Sequence, residues 1–282
     1  MAALALVWGT SFLSNRAALA EAGVLSVVTL RVGLGAAALW LWIALRRIPV
    51  PRAPKLIGRF LIMGMLNNVI PFSLIVWGQK HIESGLAAIL NASTALFGVA
   101  IAAALFADER LTRNRVIGTG LGFAGVVLAI GPEALSGFDL RSAGQIAVLG
   151  ASASYGLAAA YARSATRGLA PELAAAGMLS GATLWMIPLT LMLEGLPAQG
   201  WGLSTWGALI WLGVGCSALA YLLYYRILAL AGAGNLLLVT LMIPPVAIVA
   251  GALVYHEQLG LTALGGFALL AAGLLVLNRK TP

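Results

Sequence analysis

The stretch Leu105-Phe106-Ala107-Asp108-Glu109-Arg110-Leu111 recurs in altered form 148 residues later, as Leu253-Val254-Tyr255-His256-Glu257-Gln258-Leu259. Each copy closes a long apolar run on a glutamate and then turns into a Gly-rich apolar run. At the same displacement Gly118, Leu121, Ala124 and Gly125 lie over Gly266, Leu269, Ala272 and Gly273. Seven of 26 aligned positions are identical. Leu, Ala and Gly abound here, so composition explains part of that score; it does not explain the placement of the two glutamates. The chain reads as two related halves.

Working outward from the repeat, apolar runs between charges and breakers cover about 2–20, 25–45, 57–79, 84–106, 114–131, 142–162, 172–193, 205–227, 234–255 and 261–278. A helix needs about 20 apolar residues to cross a hydrocarbon core, so the pattern predicts an all-α membrane protein of ten transmembrane helices. Continuous runs such as Ala102-Ala103-Ala104-Leu105-Phe106 lack the alternation of a membrane barrel strand. Residues 1–131 then form a first five-helix repeat and residues 142–282 a second. Because five is odd, the second half enters the membrane from the opposite side, and inverted repeats place a solute site near the midplane between them.

Composition agrees with lipid as the solvent. Of 282 residues, 61% are hydrophobic and 9% charged, against about 25% charged in a soluble domain. The net charge of +8 does not make a nucleic-acid binder, because the basic residues sit in short gaps rather than in one patch. With the N-terminus cytoplasmic, 13 of the 17 basic residues fall in inner gaps, which predicts both termini inside. The first run is expected to be a span and not a cleaved leader despite Ala18-Leu19-Ala20, since no Lys or Arg precedes it. The lone Cys216 gives no disulfide or thiolate metal site. His81 and His256 lie far apart, so no metal centre is expected. No GxxxxGK[ST] loop is present for ATP hydrolysis, and no cofactor is implied.

Polar residues within spans are expensive unless they face protein or water. Trp8, Ser11, Phe12 and Asn15 share one helical face. Asn67 and Asn68 precede Pro71, and Thr240 precedes Pro244 and Pro245. Prolines remove a donor and bend helices, so these two regions are expected to break beside a cavity. Asn91 follows in the fourth span. Of the aromatic residues clustered in the second half (Tyr155, Trp185, Tyr221, Tyr224, Tyr225), Tyr155 and Tyr221 fall nearest mid-span. Rings suit an apolar solute body and amides a polar head. The expected solute-binding residues are Trp8, Ser11, Asn15, Asn67, Asn68, Asn91, Tyr155, Tyr221 and Tyr224, with Pro71, Pro244 and Pro245 as kinks. The competing reading of each Ser, Thr or Asn is interhelical glue. Arg31, six residues inside the second span, is expected to snorkel to the surface. The Gly and Ala ridges of the fifth and tenth spans predict peripheral packing. An embedded enzyme would need a polar catalytic cluster and a sensor would need a signalling domain; neither is visible.

Trp8-Gly9-Thr10-Ser11-Phe12, the Glu109-Arg110-Leu111-Thr112 turn and the Pro244 to Glu257 stretch resemble the drug/metabolite transporter superfamily. The ten-helix EamA-type exporters are the most similar group, and among them the bacterial aromatic amino acid exporters. The resemblance spans essentially the whole chain. It implies a secondary exporter in a bacterial inner membrane, with small amphipathic metabolites as cargo. Amino acids, aromatic ones first, are the favoured solutes, and other drugs or metabolites are the alternative. Where the family places Gly before the turn glutamate, this chain has Asp108 and His256. Pro244 corresponds to Leu96 in the first half, so the two kinks are not expected to be symmetric.

Overall fold

The computed structural model describes residues 1–51, 53–106, 112–130, 140–196 and 200–277, without the side chains of 130, 140, 225, 228, 229, 231–238 and 241. Glu109, its turn and the side chain of Tyr225 thus lie outside the described residues. Among the described residues ten helical segments follow one another: α1 Ala2–Ala18, α2 Val24–Leu45, α3 Lys55–Gly78, α4 Ser84–Leu105, α5 Arg113–Ile130, α6 Leu140–Ala165, α7 Pro171–Leu193, α8 Leu203–Tyr224, α9 Met242–Tyr255 and α10 Leu261–Leu277. Among the described residues α2, α3, α4, α7 and α8 are individually long and apolar enough to span a membrane, and α9 and α10 are shorter apolar helices. The fold is an all-α membrane bundle of two inverted five-helix repeats.

The expected gap between the eighth and ninth spans is not a break in helical backbone, which runs from Ala220 to Tyr255. That run nevertheless doubles back. The Cys216 thiol donates to the Val7 carbonyl at 3.1 Å, and a Cβ on Gly9 would fall 2.5 Å from Val246. A straight helix would set Cys216 and Val246 about 45 Å apart, so both can meet one turn of α1 only if α8 and α9 run side by side.

Close backbone contacts carry the pseudo-two-fold. Helices α5 and α10 cross antiparallel, with Gly118 against Gly273 and Gly125 against Gly266. The 148-residue displacement carries one of these contacts onto the other. Within one residue it also carries Gly35 against Gly213 onto Gly64 against Ala182, and Gly9 against Val246 onto Gly98 against Gly156. Small residues at such crossings let helices approach where lipid supplies no hydrophobic drive between them.

At one end of the bundle, carboxylates cap helices from other parts of the chain. Glu194, just after α7, accepts from the N–H groups of Leu25 and Ser26 and the Ser26 hydroxyl at 2.8–2.9 Å, closing the start of α2. Glu21, between α1 and α2, accepts from Gly202 N–H at 2.8 Å and the Thr205 hydroxyl at 2.5 Å, closing the start of α8. Glu257 accepts from the N–H groups of Ser84 and Gly85 at 3.1 and 3.3 Å, closing the start of α4, and pairs with Arg16. A negative charge at a helix N-terminus meets unsatisfied N–H donors and the positive end of the dipole. These caps bind α1, α2, α4, α7, α8 and α9 into one rim.

Candidate solute-binding site

Two helices each contain a stretch of wide, π-type helix: Met65–Val69 in α3 and Trp211–Leu219 in α8. They are repeat partners under the 148-residue displacement, and π segments often mark functional positions. The first follows from Pro71, which has no N–H to give. In the five-residue register the carbonyl left open is that of Leu66, and the Ser154 hydroxyl of α6 donates to it at 2.7 Å. The second arises without proline. Gly213 lies under Leu34, Gly215 leaves room for the Trp211 ring, and the Ser217 hydroxyl donates five residues back to the Leu212 carbonyl at 2.9 Å.

These segments hold a polar and aromatic cluster. The Tyr221 hydroxyl accepts from Asn67 Nδ2 at 2.9 Å and from Asn68 Nδ2 at 3.4 Å, a contact too long to be strong. Asn68 is fully buried and its Oδ1 has no hydrogen-bond partner. Trp8 donates through Nε1 to the Cys216 carbonyl at 3.2 Å, and its ring lies 5.9 Å from that of Tyr224. Tyr155 packs against both large apolar clusters of the bundle, so its ring sits where they meet. Trp8, Asn67, Asn68, Tyr155, Tyr221 and Tyr224 therefore gather around the two π segments.

Three other expected site residues take different places. The Ser11 hydroxyl donates within its own helix to the Trp8 carbonyl at 2.6 Å. Asn15 is buried near the capped end, donating to Gln79 Oε1 at 2.9 Å while Gln79 donates to the Phe12 carbonyl at 2.9 Å. Gln79 lies about 18 Å along α3 from Asn67, so Asn15 belongs to a separate network. Asn91 marks a break in α4 at Ala92 and Ser93, with its Oδ1 buried and without a hydrogen-bond partner. The Ser152 hydroxyl lies 3.5 Å from its carbonyl. The breaks thus fall differently from the expectation. α4 opens without a proline, while the helix continues through Pro244 and Pro245.

Trp185 is 40% exposed on the bundle surface, donating to the Leu61 carbonyl at 3.3 Å, and is no part of the central cluster. Arg31 does not snorkel: it is only 6% exposed. Its guanidinium stacks 3.8 Å from the centre of the Phe72 ring and donates through Nε to the Ser217 hydroxyl at 3.4 Å. Gly33 and Gly35, next to it in sequence, were the available signal, because they let α7 and α8 close over that part of α2. Sequence reasoning also missed Gln79 and Arg16, whose partners are distant in sequence.

A bundle of two inverted five-helix halves with a polar and aromatic cluster between them fits the class of membrane transport proteins. The model of the EamA-like transporter family matches residues 1–131 and 142–279, and the chain belongs to that family. It is a multi-pass membrane transporter and not an enzyme. The uncharacterized transporter YvbV of Bacillus subtilis is 27% identical, over 100% of this chain and 91% of that protein. A probable terminal-alkyne amino-acid exporter of Streptantibioticus cattleyicolor is 27% identical, over 98% of this chain and 91% of that protein. A solved crystal structure superposes with a TM-score of 0.70 at 21% identity, covering 97% of this chain and 93% of that one, which shows a shared fold.

Proposed function

We propose that the protein exports small amphipathic metabolites, amino acids with aromatic or apolar side chains first among them, from the cytoplasm across a bacterial inner membrane. The observation that carries this reading is the central cluster. Two asparagine amides converge on one phenol beside the Trp8, Tyr155 and Tyr224 rings. A pocket for such a solute needs apolar walls with a few placed polar groups. The amino-acid exporter among the relatives supports the solute class.

In this reading residues 1–131 and 142–282 are the two moving halves, and both termini face the cytoplasm. The capped rim is then the outer end, tied by Glu21, Glu194 and Glu257. Release outward requires that rim to part, with Arg16 leaving Glu257. The rings receive the solute body, and Asn67, Asn68 and Tyr221 exchange hydrogen bonds with its head. The test is counterflow in proteoliposomes loaded with unlabelled phenylalanine, tryptophan, glucose or a cationic dye. The expected result is saturable uptake of labelled aromatic amino acid into vesicles loaded with phenylalanine or tryptophan only. Equal or greater exchange with glucose or the dye overturns the solute class.

A further inference from the structure

We infer that Arg31 is the seat for an anionic head group, a carboxylate above all, on the transported solute. Arg31 is a buried cation two helical turns inside α2. Phe72, one residue beyond Pro71, lies under its guanidinium, and Ser217 of the α8 segment meets its Nε. A guanidinium carries five N–H donors and is always charged. Among the described residues Arg31 donates through Nε alone, to Ser217 at 3.4 Å.

The described acidic residues are all engaged or placed elsewhere. Glu21, Glu194 and Glu257 cap helices at the rim, Glu83 lies 3.9 Å from Arg141, and Glu172 begins α7. No carboxylate among the described residues pairs with Arg31. An intramembrane arginine without a protein counter-ion is costly and marks a solute path. Its two terminal nitrogens match the two oxygens of a carboxylate. Phe72 and Ser217 lie four residues from Asn68 and Tyr221 on α3 and α8, so Arg31 stands about one helical turn from the contact between those two side chains. The displacement carries Arg31 onto Leu179, which is fully buried and apolar. The second half has no matching cation, so a solute binds in one polarity only.

This inference deepens the exporter reading and rests on its central cluster, and its test separates the two. Purified protein in proteoliposomes is assayed with phenylalanine and phenylalaninamide, and its thermal stabilisation is measured with 3-phenylpropionate, which has the carboxylate and no amine. Wild type is expected to prefer phenylalanine over the amide at least about tenfold, the worth of one hydrogen bond to a charged group. Arg31→Gln should reduce that ratio towards one while still exchanging the amide, and Arg31→Lys should keep part of the preference. 3-Phenylpropionate should stabilise wild type and not Arg31→Gln. Stabilisation by 3-phenylpropionate without amino-acid transport keeps the anion seat and overturns the amino-acid reading. Equal handling of acid and amide by wild type, together with no stabilisation by 3-phenylpropionate, overturns the anion seat even if Arg31→Gln does not fold.

Discussion

Asn67 and Asn68 are adjacent in sequence and serve one acceptor unequally. The 2.9 Å bond from Asn67 to Tyr221 holds α3 to α8, whereas the 3.4 Å contact from Asn68 adds little and leaves a buried Oδ1 open. Asn67→Ala should therefore lower stability by about 1 kcal/mol, the net worth of an ordinary hydrogen bond. Asn68→Ala should leave thermal unfolding nearly unchanged yet reduce transport per folded molecule by about ten- to a hundredfold, through one lost bond to a charged solute group. Melting curves and counterflow on the same preparations check both. Normal transport by Asn68→Ala would move the head-group contact away from this residue. At the rim, Glu257 is 4% exposed in its side chain while Arg16 is 41% exposed. Its value thus lies mainly in the two N–H groups of α4 that it caps. Glu257→Ala should cost about 1–3 kcal/mol and raise labelling, by aqueous thiol reagents, of a cysteine placed at Ser84.

Close glycine contacts set how the elements pack. A Cβ on Gly118 would lie 2.6 Å from the Gly273 carbonyl and the Leu277 amide, both backbone atoms that cannot step aside. Gly120, two residues on, has nothing within 4 Å. Gly118→Ala should destabilise by about 1–3 kcal/mol through overpacking. Gly120→Ala should be neutral or stabilise by up to about 1 kcal/mol through helix propensity. Thermal unfolding in detergent compares them, and equal effects would contradict the antiparallel α5–α10 contact. The start of α8 gives a pH signature. The Thr205 hydroxyl first, and the Gly202 N–H second, hold the Glu21 carboxyl below its ordinary range. A carboxyl whose value is lower in the folded state adds stability at neutral pH and loses it as pH falls through that lowered value. Thr205→Val should flatten this acid-side decline in melting temperature, and a decline as steep as that of wild type would remove Glu21 from it.

For the whole molecule, the charge asymmetry predicts both termini in the cytoplasm, since 13 of 17 basic residues fall in the corresponding gaps. A reporter active only in the periplasm should be silent when fused after Pro282, and one active only in the cytoplasm should work there. The opposite pattern would invert the bundle and make the capped rim its inner end. The rim joins loops from both halves, so the proposed rocking of one half against the other would part these caps.

The amino-acid sequence by itself determined the solvent, the number of helices and the two-fold repeat. Apolar run length, charge placement and the spacing between Glu109 and Glu257 are properties of the linear chain, and lipid leaves few ways to satisfy a backbone. It also singled out Asn67, Asn68 and Tyr221, because amides and a phenol in a lipid-spanning run demand partners. Only the tertiary structure decided which polar groups share a site. Asn15 looked equivalent to Trp8 on one helical face, yet Gln79 of α3 claims its amide about 18 Å from the centre along that helix. Pro244 and Pro245 looked like a break, yet the helix continues through them, while α4 opens at Ala92 and Ser93 with no proline. Arg31 shows the reason most plainly. A long cationic side chain reaches either a surface or an interior, and helix periodicity is the same in both cases. The close approach of α7 and α8 over Gly33 and Gly35 turns it inward, onto Phe72 and Ser217.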